Sequence, residues 1–171
     1  LKLLQKLFDI REGEYERALL MQFNFFLIIA TLLIVKPTVN GLFLAQLGAE
    51  KLPLAYLLVA VFAILVSSIY SRILGRINLS RIILATLTVS VLFFILFGIL
   101  LRKHFVSGWI LYAFYIVVAI FAVLSASQFW VLANVVFNAR QAKRIFGFIG
   151  AGAIGGGIVG GYLTTLLAEP I

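Results

Sequence analysis

Long runs of apolar residues, separated by short polar stretches, dominate this chain. A helix needs about 20 residues to cross a hydrocarbon core of roughly 30 Å. Five runs are long enough: residues 18–35, with a continuation to 44 beyond a kink, then 54–74, 82–101, 109–137 and 145–168. In lipid the backbone must satisfy its own hydrogen bonds, so each run is expected to be helical. Pro53 suits a first helical turn. Pro37 removes a backbone donor and should kink the first helix. The short connections make consecutive helices antiparallel neighbours. Residues 1–17 read differently. There Leu1, Leu4, Leu7 and Phe8 recur at helical spacing between Lys2, Lys6 and Asp9, which fits an amphipathic leader lying at the interface or a disordered one. The expected fold is an all-α polytopic membrane protein, with a cytoplasmic leader over 1–17 and a transmembrane helical domain over 18–171. An odd number of spans suggests that further helices follow elsewhere.

The fifth run carries eight glycines, from Gly147 to Gly161. In water each would weaken a helix by about 1 kcal/mol. In lipid, small residues instead let a neighbouring helix approach closely. Gly152, Gly156 and Gly160 repeat every fourth residue, as do Gly157 and Gly161, so this helix is built to pack tightly or to slide. Gly150-Ala151-Gly152-Ala153-Ile154-Gly155 also matches the dinucleotide pattern G-x-G-x-x-G. That pattern has meaning only after a strand and ahead of an acidic residue about 20 positions on. Inside an apolar run, helix packing is the better reading.

Composition agrees. Hydrophobic residues make up 64% of the 171 and charged residues 12%, against about 45–50% and 25% in soluble domains. The net charge of +8 does not point to nucleic acid, because the bases sit in small clusters between apolar runs, as membrane topology requires. Lys2, Lys6, Arg11, Arg17, Arg72, Arg76, Arg81, Arg140, Lys143 and Arg144 share one side. Lys36, Lys51, Arg102 and Lys103 share the other. The positive-inside bias therefore places the N-terminus in the cytoplasm.

Candidate chemistry is sparse. With no cysteine and one histidine, His104, no metal or cofactor is expected, and no catalytic pairing suggests an enzyme. Lys36 is the exception within a run. A lysine at mid-membrane is expensive and marks a solute path, whereas a helix ending before Pro37 would leave it in the outer interface. At 100° per residue Gln22, Phe25, Ile29, Lys36 and Asn40 fall near one face, which favours a cavity-lining stripe. In the fourth run Ser127, Trp130, Asn134, Asn138 and Gln141 also share a face, and such amides either glue helices together or contact solute. Lys143 and Arg144 follow in a short basic turn, suited to phosphate or simply to the topology and lipid headgroups. Arg72, Arg76 and Arg81 act as topology markers or as a gating latch.

Several blocks carry a resemblance. Leu7-Phe8-Asp9-Ile10-Arg11-Glu12-Gly13-Glu14, Leu33-Ile34-Val35-Lys36-Pro37, Leu47-Gly48-Ala49-Glu50-Lys51-Leu52-Pro53 and Gln141-Ala142-Lys143-Arg144-Ile145-Phe146-Gly147-Phe148 resemble the ATP/ADP translocase family of bacteria and plastids, whose bacterial members are NTP/NDP exchange transporters. That family is similar to the major facilitator superfamily, and this chain resembles most of its first half. The resemblance implies nucleotide antiport by alternating access in a bacterial inner membrane. The lipid bilayer, a nucleotide substrate and the remaining half, or partner subunits, are the implied partners. Lys36, Asn40, Asn134 and Asn138 are the candidate solute-cavity residues, with Lys143 and Arg144 capturing phosphate. Arg72, Arg76 and Arg81 resemble the superfamily's gating loop. The alternative is a non-transporting anchor or sensor module joined to soluble domains or partner subunits. Val39 and Asn40 favour it, because a charge-poor cavity holds polyphosphate badly.

Overall fold

The computed structural model describes residues 13–103 and 107–168. Its long helices are α1 (Tyr15–Leu47), α2 (Leu52–Leu74), α3 (Leu79–Arg102), α4 (Gly108–Val136) and α5 (Ala139–Ala168), with a single 3-10 turn at Ala49–Lys51. Among the described residues these five are long and apolar enough to cross a membrane, and no strand occurs. The all-α polytopic architecture is therefore as the apolar runs require. Most of the leader lies outside the described residues, as does His104. The described residues form two compact units, one from 13–35 and 126–168, the other from 36–103 and 107–125.

In the first unit α1 and α5 run parallel, as a first and a fifth span must. Gly152, Gly156 and Gly160 of α5 lie against the backbone of Gln22, Phe26 and Ala30 in turn. A Cβ on any of the three would meet a main-chain carbonyl oxygen closer than real Cβ atoms approach, 2.8 Å from that of Ala30 in the case of Gly160. The glycine stripe is thus a backbone-on-backbone seam. Gly152, the middle glycine of the G-x-G-x-x-G match, is taken up by that seam. Ala18, Met21, Phe129, Ala133, Phe137, Ile145, Phe148 and Ile149 form the core beside it, and Phe25 stacks on Phe129 with centroids 4.2 Å apart.

One boundary agrees with the expected continuation and one differs. First, α1 passes through Pro37, as the run continuing to 44 allowed, and ends at Leu47. Proline cannot donate to the carbonyl four residues back, here that of Leu33. The Thr164 hydroxyl on α5 lies 2.8 Å from that carbonyl and also 2.8 Å from the carbonyl of Gly160. A neighbouring Ser or Thr is one of the ways in which a proline within a membrane helix is tolerated. Second, α5 begins at Ala139, so Gln141 to Arg144 form helix rather than a turn. Asn138 and Gln141 cap it reciprocally: each side-chain oxygen accepts from the other's backbone N–H at 3.0 Å, which satisfies two otherwise orphaned donors.

The second unit is held by aromatic contacts. Phe43, completely buried, meets Tyr112 edge-on at 5.1 Å and Tyr115 at 5.2 Å. Phe97 stacks on Phe114 at 3.5 Å. Gly48 ends α1 with a φ of 75°, a conformation that costs glycine little and other residues much. Pro53 sits in the first turn of α2, where its missing N–H is harmless.

Candidate functional site

The first unit concentrates charge where α5 begins. Asn138 is fixed by the cap, so the residues after it project from the first turn of a helix, whose unpaired N–H groups already favour anions. Glu14, just before α1, reaches this turn. It accepts a hydrogen bond from Gln141 Nε2 at 2.8 Å, and both its oxygens lie 3.4 Å from Arg144 Nη2. Charge-assisted bonds of this kind are typically about 2.7–2.9 Å, so the ion pair is loose. A cavity of about 500 Å³ is lined by Glu14, Asn138, Arg140, Gln141, Lys143 and Arg144. Among the described residues three cations and one carboxylate line it.

The polar stripe of α4 is open. Ser127, Trp130, Asn134 and Asn138 are exposed. The Asn134 amide donates to the Trp130 carbonyl of its own helix at 2.9 Å. Trp130 packs edge-on against Phe25, Phe129 and Phe146. The corresponding stripe on α1 is partly consumed in packing: Gln22 abuts Gly152 and Phe25 stacks on Phe129. Gln22 and Phe25 are therefore engaged in packing within the first unit.

Lys36 and Asn40 belong to the second unit. Because α1 continues to Leu47, Lys36 does not sit at a helix end. It lies eleven residues before that end, about 16 Å along the axis. Its side chain is exposed and that of Asn40, one turn on, is half-buried, whereas Val39 between them is almost fully buried. Arg72, Arg76 and Arg81 are exposed around the α2–α3 connection. Among the described residues none of these arginines has an ion-pair partner, so a latch would need an acid from elsewhere.

Glu14, Arg140 and Gln128 were not among the candidate residues. Glu14 was legible only as one acid in a charged leader, and its link to position 144 is tertiary. Arg140 follows directly on the α4 stripe and was counted only for topology. Gln128 is 4% exposed within an apolar helix, a placement that periodicity does not flag. Among the described residues no cluster of His, Cys, Asp or Glu could hold a metal ion.

Residues 1–105 match the family model described as TLC ATP/ADP transporter. No curated protein and no solved structure matches the chain.

Proposed function

From the premise that this chain belongs to the TLC ATP/ADP transporter family, we propose that it is the N-terminal part of a carrier that exchanges nucleotides by alternating access, with its N-terminus cytoplasmic in a bacterial inner membrane. The observation that carries this reading is the basic cavity at the start of α5. Among the described residues three cations surround one carboxylate, an arrangement that suits a polyphosphate. Incoming phosphate oxygens displace Glu14 from Arg144, exchanging one anion for another, while the helix N-terminus adds to the attraction. Lys143 and Arg140 complete the capture. Lys36, deep in α1 and exposed, is a further cation for the solute, where an intramembrane charge is retained for function. Asn40 and Asn134 offer amides for the neutral parts of the solute. Asn138 shapes the cavity through its cap. The second half of the carrier supplies the opposite wall, as in transporters whose site lies between repeats.

The test is uptake of labelled ATP by the intact protein in liposomes preloaded with ADP. Uptake that requires internal nucleotide is expected, reduced at least tenfold by Lys36→Ala and by Lys143→Ala. Uptake untouched by both substitutions would sink the site assignment.

One observation favours the second reading, a transporter-like anchor or sensor. Lys36 is the sole charged residue of α1 between Arg17 and its end, and α4 has none. A polyphosphate crossing between these faces meets a single cation. Folded, inserted protein without exchange and without stabilisation by nucleotide would establish that reading over transport.

A further inference from the structure

In the second unit α2, α3 and α4 enclose a groove of about 770 Å³. Its wall is apolar almost throughout, with Val66, Ile73, Val89 and Phe121 representative of the three helices. The groove is not sealed: Ile69 and Val89, in its wall, are 57% and 65% exposed. At one end stands Arg81, in the first turn of α3, exposed and without an ion-pair partner among the described residues. Arg72 and Arg76 lie on the same connection.

The α3 wall runs from Arg81 to Phe93, about 18 Å along the axis. Half of a hydrocarbon core is roughly 15 Å. The groove therefore begins with a cation at the level of the headgroups and continues, apolar, through the depth of one leaflet. Tyr70 forms part of the wall, one turn deeper than the end of α2. Its hydroxyl is buried with no hydrogen-bond partner.

We propose that this groove binds one anionic glycerophospholipid of the leaflet on the arginine-rich side. One acyl chain lies along Val66, Val89 and Phe121, and the phosphate pairs with Arg81. Charge complementarity selects the lipid. A guanidinium holds phosphate by a planar fork, and basic residues at this depth attract anionic headgroups. An apolar solute would leave Arg81 unused, and a protein helix, at about 10 Å in diameter, is broader than a single chain.

The test is native mass spectrometry of the intact protein exchanged into mixed micelles holding equal amounts of phosphatidylglycerol and phosphatidylcholine with identical chains. One phosphatidylglycerol per protein is expected to be retained, with roughly tenfold preference. Arg81→Gln should bring the preference close to one, and Arg81→Lys should keep most of it. Val89→Trp, which fills the groove from an exposed position, should abolish retention of both. Equal retention of the two lipids by the unaltered protein, or retention indifferent to Val89→Trp, overturns the proposal. So does a photoreactive side chain at position 89 that couples to protein instead of lipid.

Discussion

Alanine substitutions along α5 should split into two classes that no scale of helix propensity would separate. At Gly161 a Cβ meets nothing within 4 Å. Alanine there keeps every contact and restricts the unfolded chain, a gain of up to about 0.5–1 kcal/mol. At Gly160 the same methyl group would stand 2.8 Å from the Ala30 carbonyl oxygen, whereas ordinary contacts begin at 3.4 Å. The seam must open there by about 0.6 Å. The obstacle is main chain, so no side-chain rotation relieves it. At Gly156 and Gly152 the overlap, with the carbonyls of Phe26 and Gln22, is greater. Overpacking of this kind costs about 1–3 kcal/mol. Set against the propensity gain, Gly156→Ala should lose about 2 kcal/mol, or roughly 4–8 °C in Tm for a protein of this size. Purified variants in one detergent, followed by size-exclusion chromatography after heating, measure the difference directly. Gly156→Ala and Gly161→Ala shifting Tm by equal amounts in the same direction would refute the backbone seam.

Other outcomes follow from the same contacts. Asn138→Ala should cost about 1 kcal/mol through the lost cap, and Asn138→Ser should restore most of it, read as Tm in the same assay. Glu14→Ala leaves Gln141 and Arg144 without this carboxylate and should destabilise by about 1 kcal/mol; the loss should shrink as salt screens the partly exposed pair. Phe43→Ala removes a fully buried ring from between two tyrosines and should cost about 3–5 kcal/mol, enough to abolish a monodisperse elution profile. Thr164→Val keeps the shape but not the proton, and should destabilise by about 1–3 kcal/mol where Thr164→Ser does not.

Five helices were legible because membrane-spanning length is a one-dimensional property: run length and charge spacing report it without tertiary knowledge. The glycine repeat likewise announced a close seam, since four-residue spacing places small residues on one face. The start of α5 was misjudged although its signal was present. Asn138 and Gln141 stand three apart, the spacing of a capping box, yet both also extend the polar face of α4 and were read as part of it. Glu14 escaped because nothing local links it to position 144. The continuation of α1 beyond Pro37 was legible, to about Leu44, but what supports it there was not. Pro37 is a legible break, and what heals it stands 127 residues further on. For the candidate site, residue types could be read but not their employment: Gln22 and Phe25 share a face with Lys36, and the structure commits them to packing.

The hydroxyl of Thr164 has one proton and two carbonyls at the same distance. One of them, on Leu33, has lost its usual donor to Pro37. Parting α5 from the first half of α1 would strand that carbonyl in hydrocarbon, at a cost of several kcal/mol. The exposed group then has a remedy that lipid cannot offer, a water molecule. Hydration and helix separation are thereby linked at this one level of the membrane. A dry seam stays shut, and a seam that opens must draw water in with it. Deuterium uptake by the amides following Pro37 should therefore report on the parting of α1 from α5 before any larger motion does.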